Sequence, residues 1–113
     1  MIGLDAEWRP NLTKFIKTKS ALLQISDAQN VFLVDLIALE GSQKLNLILT
    51  KIMNDESIIK TGLSLRGDLT RILNSSPCKE AVSFATQVKG YVDLGLLHQD
   101  LTHFKENPAA FKK

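Results

Sequence analysis

The hydrophobic period of this chain changes part-way along, and that change restricts the fold more than any other feature. In Ile2-Gly3-Leu4-Asp5-Ala6-Glu7-Trp8 the pattern has period two: Ile2, Leu4, Ala6 and Trp8 fall on one face of a strand, and Gly3, Asp5 and Glu7 on the other. Residues 9–19, with Pro10, Asn11 and three lysines, read as a loop. Residues 20–26 and 31–35 read as two further strands, joined by Asp27-Ala28-Gln29-Asn30, a link short enough for an antiparallel hairpin. After Gly41 the spacing becomes helical. Leu45, Ile48, Leu49, Ile52 and Met53 predict one buried helix face, with Ser42 placed to cap the first turn.

Strand and helix signals then alternate. Residues 58–63 predict a fourth strand, and residues 67–74, with Leu69, Ile72 and Leu73 on one stripe, a second helix that Pro77 brings to an end. Residues 78–89 read as a loop with a helical turn. Gly90 to Asp93 is a short fifth strand, and Asp93 is set to cap a helix through Leu94, Leu96, Leu97 and Leu101. From Thr102 on no period is visible, so 1–101 is expected as the ordered domain and 102–113 as a flexible tail. Three strands followed by alternating helices and strands imply an α/β fold: a mixed five-stranded sheet flanked by helices.

Composition narrows the class. The chain has 113 residues, 44% hydrophobic and 23% charged, which suits one globular core. No apolar run approaches the roughly 18 residues of a membrane span, and the start Met-Ile-Gly-Leu-Asp lacks the basic and apolar regions of a secretory leader. The single cysteine, Cys78, makes neither an internal disulfide nor a cysteine zinc cluster. An intracellular protein is expected, with nucleus and cytoplasm unresolved. The net charge of +2 is too small to hold nucleic acid by charge alone. Basic residues are nevertheless gathered at Arg9, Lys14, Lys17 and Lys19 and at Lys105, Lys112 and Lys113, as solvated loops or as phosphate contacts.

The chemistry-bearing residues are acids. Asp5 and Glu7, two residues apart on a strand, project from the same face with backbones about 7 Å apart. Two ionised carboxylates so close repel each other unless a cation compensates, and magnesium prefers such oxygen ligands. A simply wetted strand face shows the same pattern. Asp68 follows in Gly62-Leu63-Ser64-Leu65-Arg66-Gly67-Asp68-Leu69, just inside a helix that succeeds a strand. There it also complements the positive end of the helix dipole.

Five segments in this order resemble the DEDD-type 3′–5′ exonucleases, chiefly those of the mut-7/Nibbler and Werner types: residues 2–8, Leu22 to Ser26, Val31 to Leu36, Lys60 to Leu69 with its Gly-x5-Asp spacing, and Tyr91 to Leu94. The resemblance covers roughly residues 2–97. It implies an RNase H-like fold and hydrolysis of terminal phosphodiesters at the single-stranded 3′ end of RNA or DNA, with two ions, Mg²⁺ or Mn²⁺. Asp5, Glu7 and Asp68 match the family's catalytic and metal-binding acids. Ala6, Trp8 and Leu65 would lie on the substrate side, although Trp8 also alternates with Leu4 as a core residue does.

One part of the family pattern has no counterpart. The fourth acid, preceded four residues earlier by a tyrosine or five earlier by a histidine, does not occur: Tyr91 precedes Asp93 by two, His98 precedes Asp100 by two, and His103 precedes Glu106 by three. Both histidines read as exposed helix or tail residues. The resemblance therefore implies a C-terminally truncated domain without the family's last helices, weakly active or inactive. The competing reading is a non-catalytic module that binds nucleic acid or protein and keeps a relic site. No motif specifies a protein partner or separates RNA from DNA.

Overall fold

In the computed structural model, which describes residues 1–8 and 20–111, the period-two segments pair as their patterns require. β1 (Ile2–Trp8) lies antiparallel to β2 (Ser20–Ser26), and β2 antiparallel to β3 (Val31–Asp35). Asp27 closes the β2–β3 turn by accepting from the backbone N–H groups of Gln29 and Asn30 at 2.8 and 2.7 Å. β4 (Lys60–Gly62) then runs parallel to β1 on its other side, and β5 (Tyr91–Asp93) parallel to β4. The sheet order is β3-β2-β1-β4-β5, so β1 is central. The expected loop at 9–19 and the lysines at 112 and 113 lie outside the described residues.

Helices cover one face. α1 (Gln43–Asn54), capped by the Ser42 hydroxyl on the Leu45 N–H, buries Leu49 and Met53. α2 (Leu65–Ser75) buries Leu65, Asp68, Leu69 and Ile72, starting two residues before the stretch its apolar stripe predicts. The ambiguous 78–89 region forms a 3₁₀ segment, Glu80–Ala85, that inserts Phe84 and Ala85 between α1 and α2. Leu4, Ala6 and Leu23 complete the core from the sheet.

Two expectations are corrected. Ile48 does not join the buried face of α1 but is 48% exposed. The packing face is rotated toward Asn46, whose amide donates to Glu80 O and Ser83 Oγ and accepts the Phe84 N–H at 3.0 Å. A polar side chain thus fixes the helix rotation that an apolar-only stripe misjudges. The last helix, α3 (Leu94–Glu106), continues five residues beyond Leu101, and Pro108–Phe111 adds a 3₁₀ turn. Thr102 is accommodated inside the helix, its hydroxyl donating back to the His98 carbonyl. α3 packs on β5 and on that final turn and buries none of its residues.

The second sheet face carries Gly3, Asp5 and Glu7 with their register partners Ser26, Gln24 and Leu22. The two carboxylates are exposed there, while their neighbours Leu4 and Ala6 point into the core.

Candidate active site

Strand geometry creates the site. Ile2 turns its N–H toward β4, donating to Ile59 O at 2.8 Å, so by period two Leu4 and Ala6 turn theirs the same way. β4 pairs with β1 only through Ile2 and Gly3. The Ala6 N–H therefore emerges past the end of β4 with no strand to receive it. Asp68 stands near it instead: the Ala6 backbone N–H lowers the pKa of this carboxyl, which the first turn of α2 carries.

This brings Asp68 to the flanks of Ala6, where Asp5 and Glu7 stand. Asp68 is 7% exposed. Burial is the largest influence on its carboxyl and pushes the pKa up; the Ala6 N–H opposes this, Asp5 and Glu7 raise it further by repulsion, and Arg71 lowers it. Asp5, Glu7 and Arg71 thus all bear electrostatically on Asp68, where the central strand β1 runs on past the end of β4. The oxygen-only donor set suits a hard divalent ion. Among the described residues, however, no three acid, imidazole or thiol groups stand in a ready-made metal cage. Asp5 and Glu7 are exposed and would have to swing toward Asp68 to close one. The donor chemistry of the three carboxylates suits such an ion.

Several groups around the acids are not evident from periodicity. Arg71 lies over the Trp8 ring, its guanidinium carbon 4.0 Å from the centroid. That is a close cation–π contact. Arg71 follows Asp68 by three residues, a spacing that shares a helix face, and this was the available signal. Trp8 is partly buried against the core on one side and meets Arg71 on the other. The β1–β2 register is irregular between Glu7 and Trp8, a device often found where a strand re-aims a side chain.

The other expected substrate-side residues are placed differently. The Leu65 side chain is fully buried, and Ala6 is buried too. Their backbone N–H groups are the parts that act here, Leu65 donating to the Tyr91 hydroxyl at 3.1 Å and Ala6 lowering the pKa of Asp68. The exposed apolar neighbours are Leu63, at 68%, and Leu94, at 47%. On the open face a shallow groove runs beside Asp5, lined also by Gln24, Ser26, Thr61 and Leu94. His98, Asp100 and Glu106 are exposed on α3, as is His103.

Residues 1–107 match the family profile described as a 3′–5′ exonuclease. The chain belongs to the 3′–5′ exonuclease family. A human protein, the exonuclease mut-7 homolog, is 31% identical over 107 residues, a match covering 89% of this chain and 12% of that protein. Among solved exonuclease structures, the Aedes aegypti Nibbler EXO domain superposes with a TM-score of 0.69 at 17% identity, over 92% of this chain and 47% of that one. The EXD2 exonuclease domain gives 0.65 at 23% identity, over 96% and 51%. The same domain soaked in Mn and GMP gives 0.62 at 25% identity, over 91% and 47%. The mixed five-stranded sheet with its helices is thus the RNase H-like exonuclease architecture, and the chain spans about half the length of these structures. Among the described residues no helix is long and apolar enough to cross a membrane.

Proposed function

We propose that this chain carries the first three acids of a metal-dependent 3′–5′ exonuclease, which removes nucleotides from the single-stranded 3′ end of RNA or DNA. The observation that carries this is the buried Asp68 carboxylate beside the Ala6 N–H, within electrostatic reach of Asp5 and Glu7. Asp5, Glu7 and Asp68 would hold the divalent ions, Mg²⁺ or Mn²⁺, two in the complete family site. Such ions supply Lewis-acid polarisation of the phosphate and an activated water. EXD2 structures soaked in Mg, Mn and GMP support divalent ions and a nucleotide as the ligand class.

The chain's own residues do the rest. Asp68 is buried beside the Ala6 N–H, while Asp5 and Glu7 are exposed and would have to close toward it to share an ion. Arg71, beside Asp68 and over Trp8, offers the positive charge that a phosphate meets on approach. The groove beside Asp5, with Leu94 on its wall, is where the terminal nucleotide would lie. Asp100 and Glu106 do not stand in the fourth-acid pattern, so the 113 residues by themselves should turn over slowly.

Incubation with 3′-overhang RNA and DNA in Mn²⁺ tests this. Slow loss of single nucleotides, abolished in Asp5→Ala, is expected. Loss that persists unchanged in Asp5→Ala would remove these residues from the chemistry, and rates typical of a complete enzyme would overturn the view that a fourth acid is needed.

The absence of a preformed cage among the described residues favours a second reading, a nucleic-acid- or protein-binding module with a relic site. Calorimetry with Mg²⁺ and Mn²⁺ separates the two: the nuclease must bind the ions, and the relic need not.

A further inference from the structure

Asp68 owes its place to the first turn of α2, and that turn is built unusually. Ser64, at the N-cap position, has φ 57° and makes no side-chain capping bond. A left-handed conformation at a non-glycine residue needs support from its surroundings. The first N–H groups of any helix also need partners from outside the helix. Here the N–H groups of Gly67 and Asp68 turn back onto Ser64 O at 3.0 and 3.3 Å. Those of Ser64, Leu65 and Arg66 cannot do so.

They face two residues at the end of β5. The Tyr91 hydroxyl accepts the Leu65 N–H at 3.1 Å, and the Arg66 N–H lies near enough to lower its pKa. It donates its own proton to Asp93 Oδ2 at 2.6 Å. The Arg66 guanidinium carbon lies 5.9 Å from the Tyr91 ring centroid, adding a second hold on the same turn. Asp93 accepts the N–H groups of Gly95 and Leu96, at 2.8 and 3.2 Å, which begin α3, and the nearby Ser64 N–H also lowers its pKa. One carboxylate therefore joins the N-termini of both helices to the end of β5.

We propose that Tyr91 and Asp93 are positioning residues for the metal site, a hydroxyl–carboxylate clamp replacing the missing side-chain cap of α2 and holding its first turn so that Asp68 meets the Ala6 N–H between Asp5 and Glu7. Neither touches the acids; they act through the turn that carries Asp68. This deepens the exonuclease reading and rests on it for its functional meaning, whereas the structural relay from Tyr91 to Asp68 stands apart from it.

The test uses the 113-residue chain with Tyr91→Phe, which removes one oxygen, and Asp93→Asn as the second variant. The reporter is the Ala6 amide, followed by NMR hydrogen exchange and assigned by its acceleration in Asp68→Ala. Loss of the clamp should make the Ala6 amide of Tyr91→Phe exchange roughly tenfold faster, with Leu23 in mid-sheet unchanged. Mn²⁺ affinity by calorimetry should weaken by about tenfold, the low end for losing a group that orients a metal ligand. An unchanged Ala6 amide in both variants overturns the proposal, and so does unfolding of both, which would make the pair a general scaffold element. If the wild-type chain takes up no Mn²⁺, the metal assignment fails while the Ala6 amide still decides whether Tyr91 places Asp68.

Discussion

Gly62 passes so close to β1 that a Cβ added to it would stand 2.6 Å from the Leu4 carbonyl oxygen. The intruded atom is backbone, so no side chain can yield. This gives a physical cause for the glycine six residues before Asp68: β4 must lie against β1 for α2 to begin where Asp68 reaches Ala6. Gly62→Ala should cost about 1–3 kcal/mol in urea unfolding, the range for overpacking a tight site. It should also weaken Mn²⁺ binding, because the strand that launches α2 is pushed aside.

Tyr91 is the chain's single tyrosine, so its ionisation can be read without overlap. Burial first, then the bond to Asp93, push its pKa from 10.0 up to about 12. The folded state thus holds the phenol proton more tightly than the unfolded chain does. The resulting stability is complete below pH 10 and is lost as pH rises toward 12, by on the order of 2 kcal/mol. A phenolate absorbance titration should show the late transition, and denaturant midpoints of Tyr91→Phe should fall less steeply across that window.

Asp68 titrates in the same sense. Its folded pKa is raised above the ordinary 3.8, chiefly by burial, so the stability tied to its protonation is full below 3.8 and is lost as pH climbs through the raised value. Asp68→Asn keeps the shape and an oxygen for the Ala6 N–H without the charge. In chelator at neutral pH it should melt above wild type, with the gap closing in acid. Added Mn²⁺ should raise the melting temperature of wild type and leave the variant where it was. A variant that melts lower in chelator at every pH would show that the charge is not the destabilising element.

Lys60 is fully buried, its ammonium donating to Asp55 O at 2.5 Å and Lys89 O at 3.0 Å. It ties the turn after α1 to the segment before β5. Lys60→Met fills similar space but orphans both carbonyls, and it should lower unfolding free energy by about 1–3 kcal/mol. Protection from hydrogen exchange should fall first at Ile58 and Tyr91.

Much of this was legible because the local signals agree with the tertiary ones. The alternation of Ile2 to Trp8 gives a strand with Leu4 and Ala6 inward, and Ser42 and Asp93 cap the helices they precede. The proximity of Asp68 to the first two acids follows from strand order, which the family resemblance implied. What stayed hidden depends on partners distant in sequence. Asn46 sets the rotation of α1 through bonds across 34 to 38 residues. Leu65 is expected on the substrate side from the family resemblance, yet α2 begins at it and turns its side chain into the core. Lys60 inside the sheet and Tyr91 under α2 are polar residues whose partners are mostly backbone atoms, and backbone atoms leave no mark in a sequence.

The seclusion of Lys60 has a practical corollary. An amine-acylating reagent would tag the surface lysines within moments and overlook this one until β4 and β5 part. The slow appearance of its adduct would therefore time the breathing of the parallel half of the sheet, residue-specifically and without any label having been engineered.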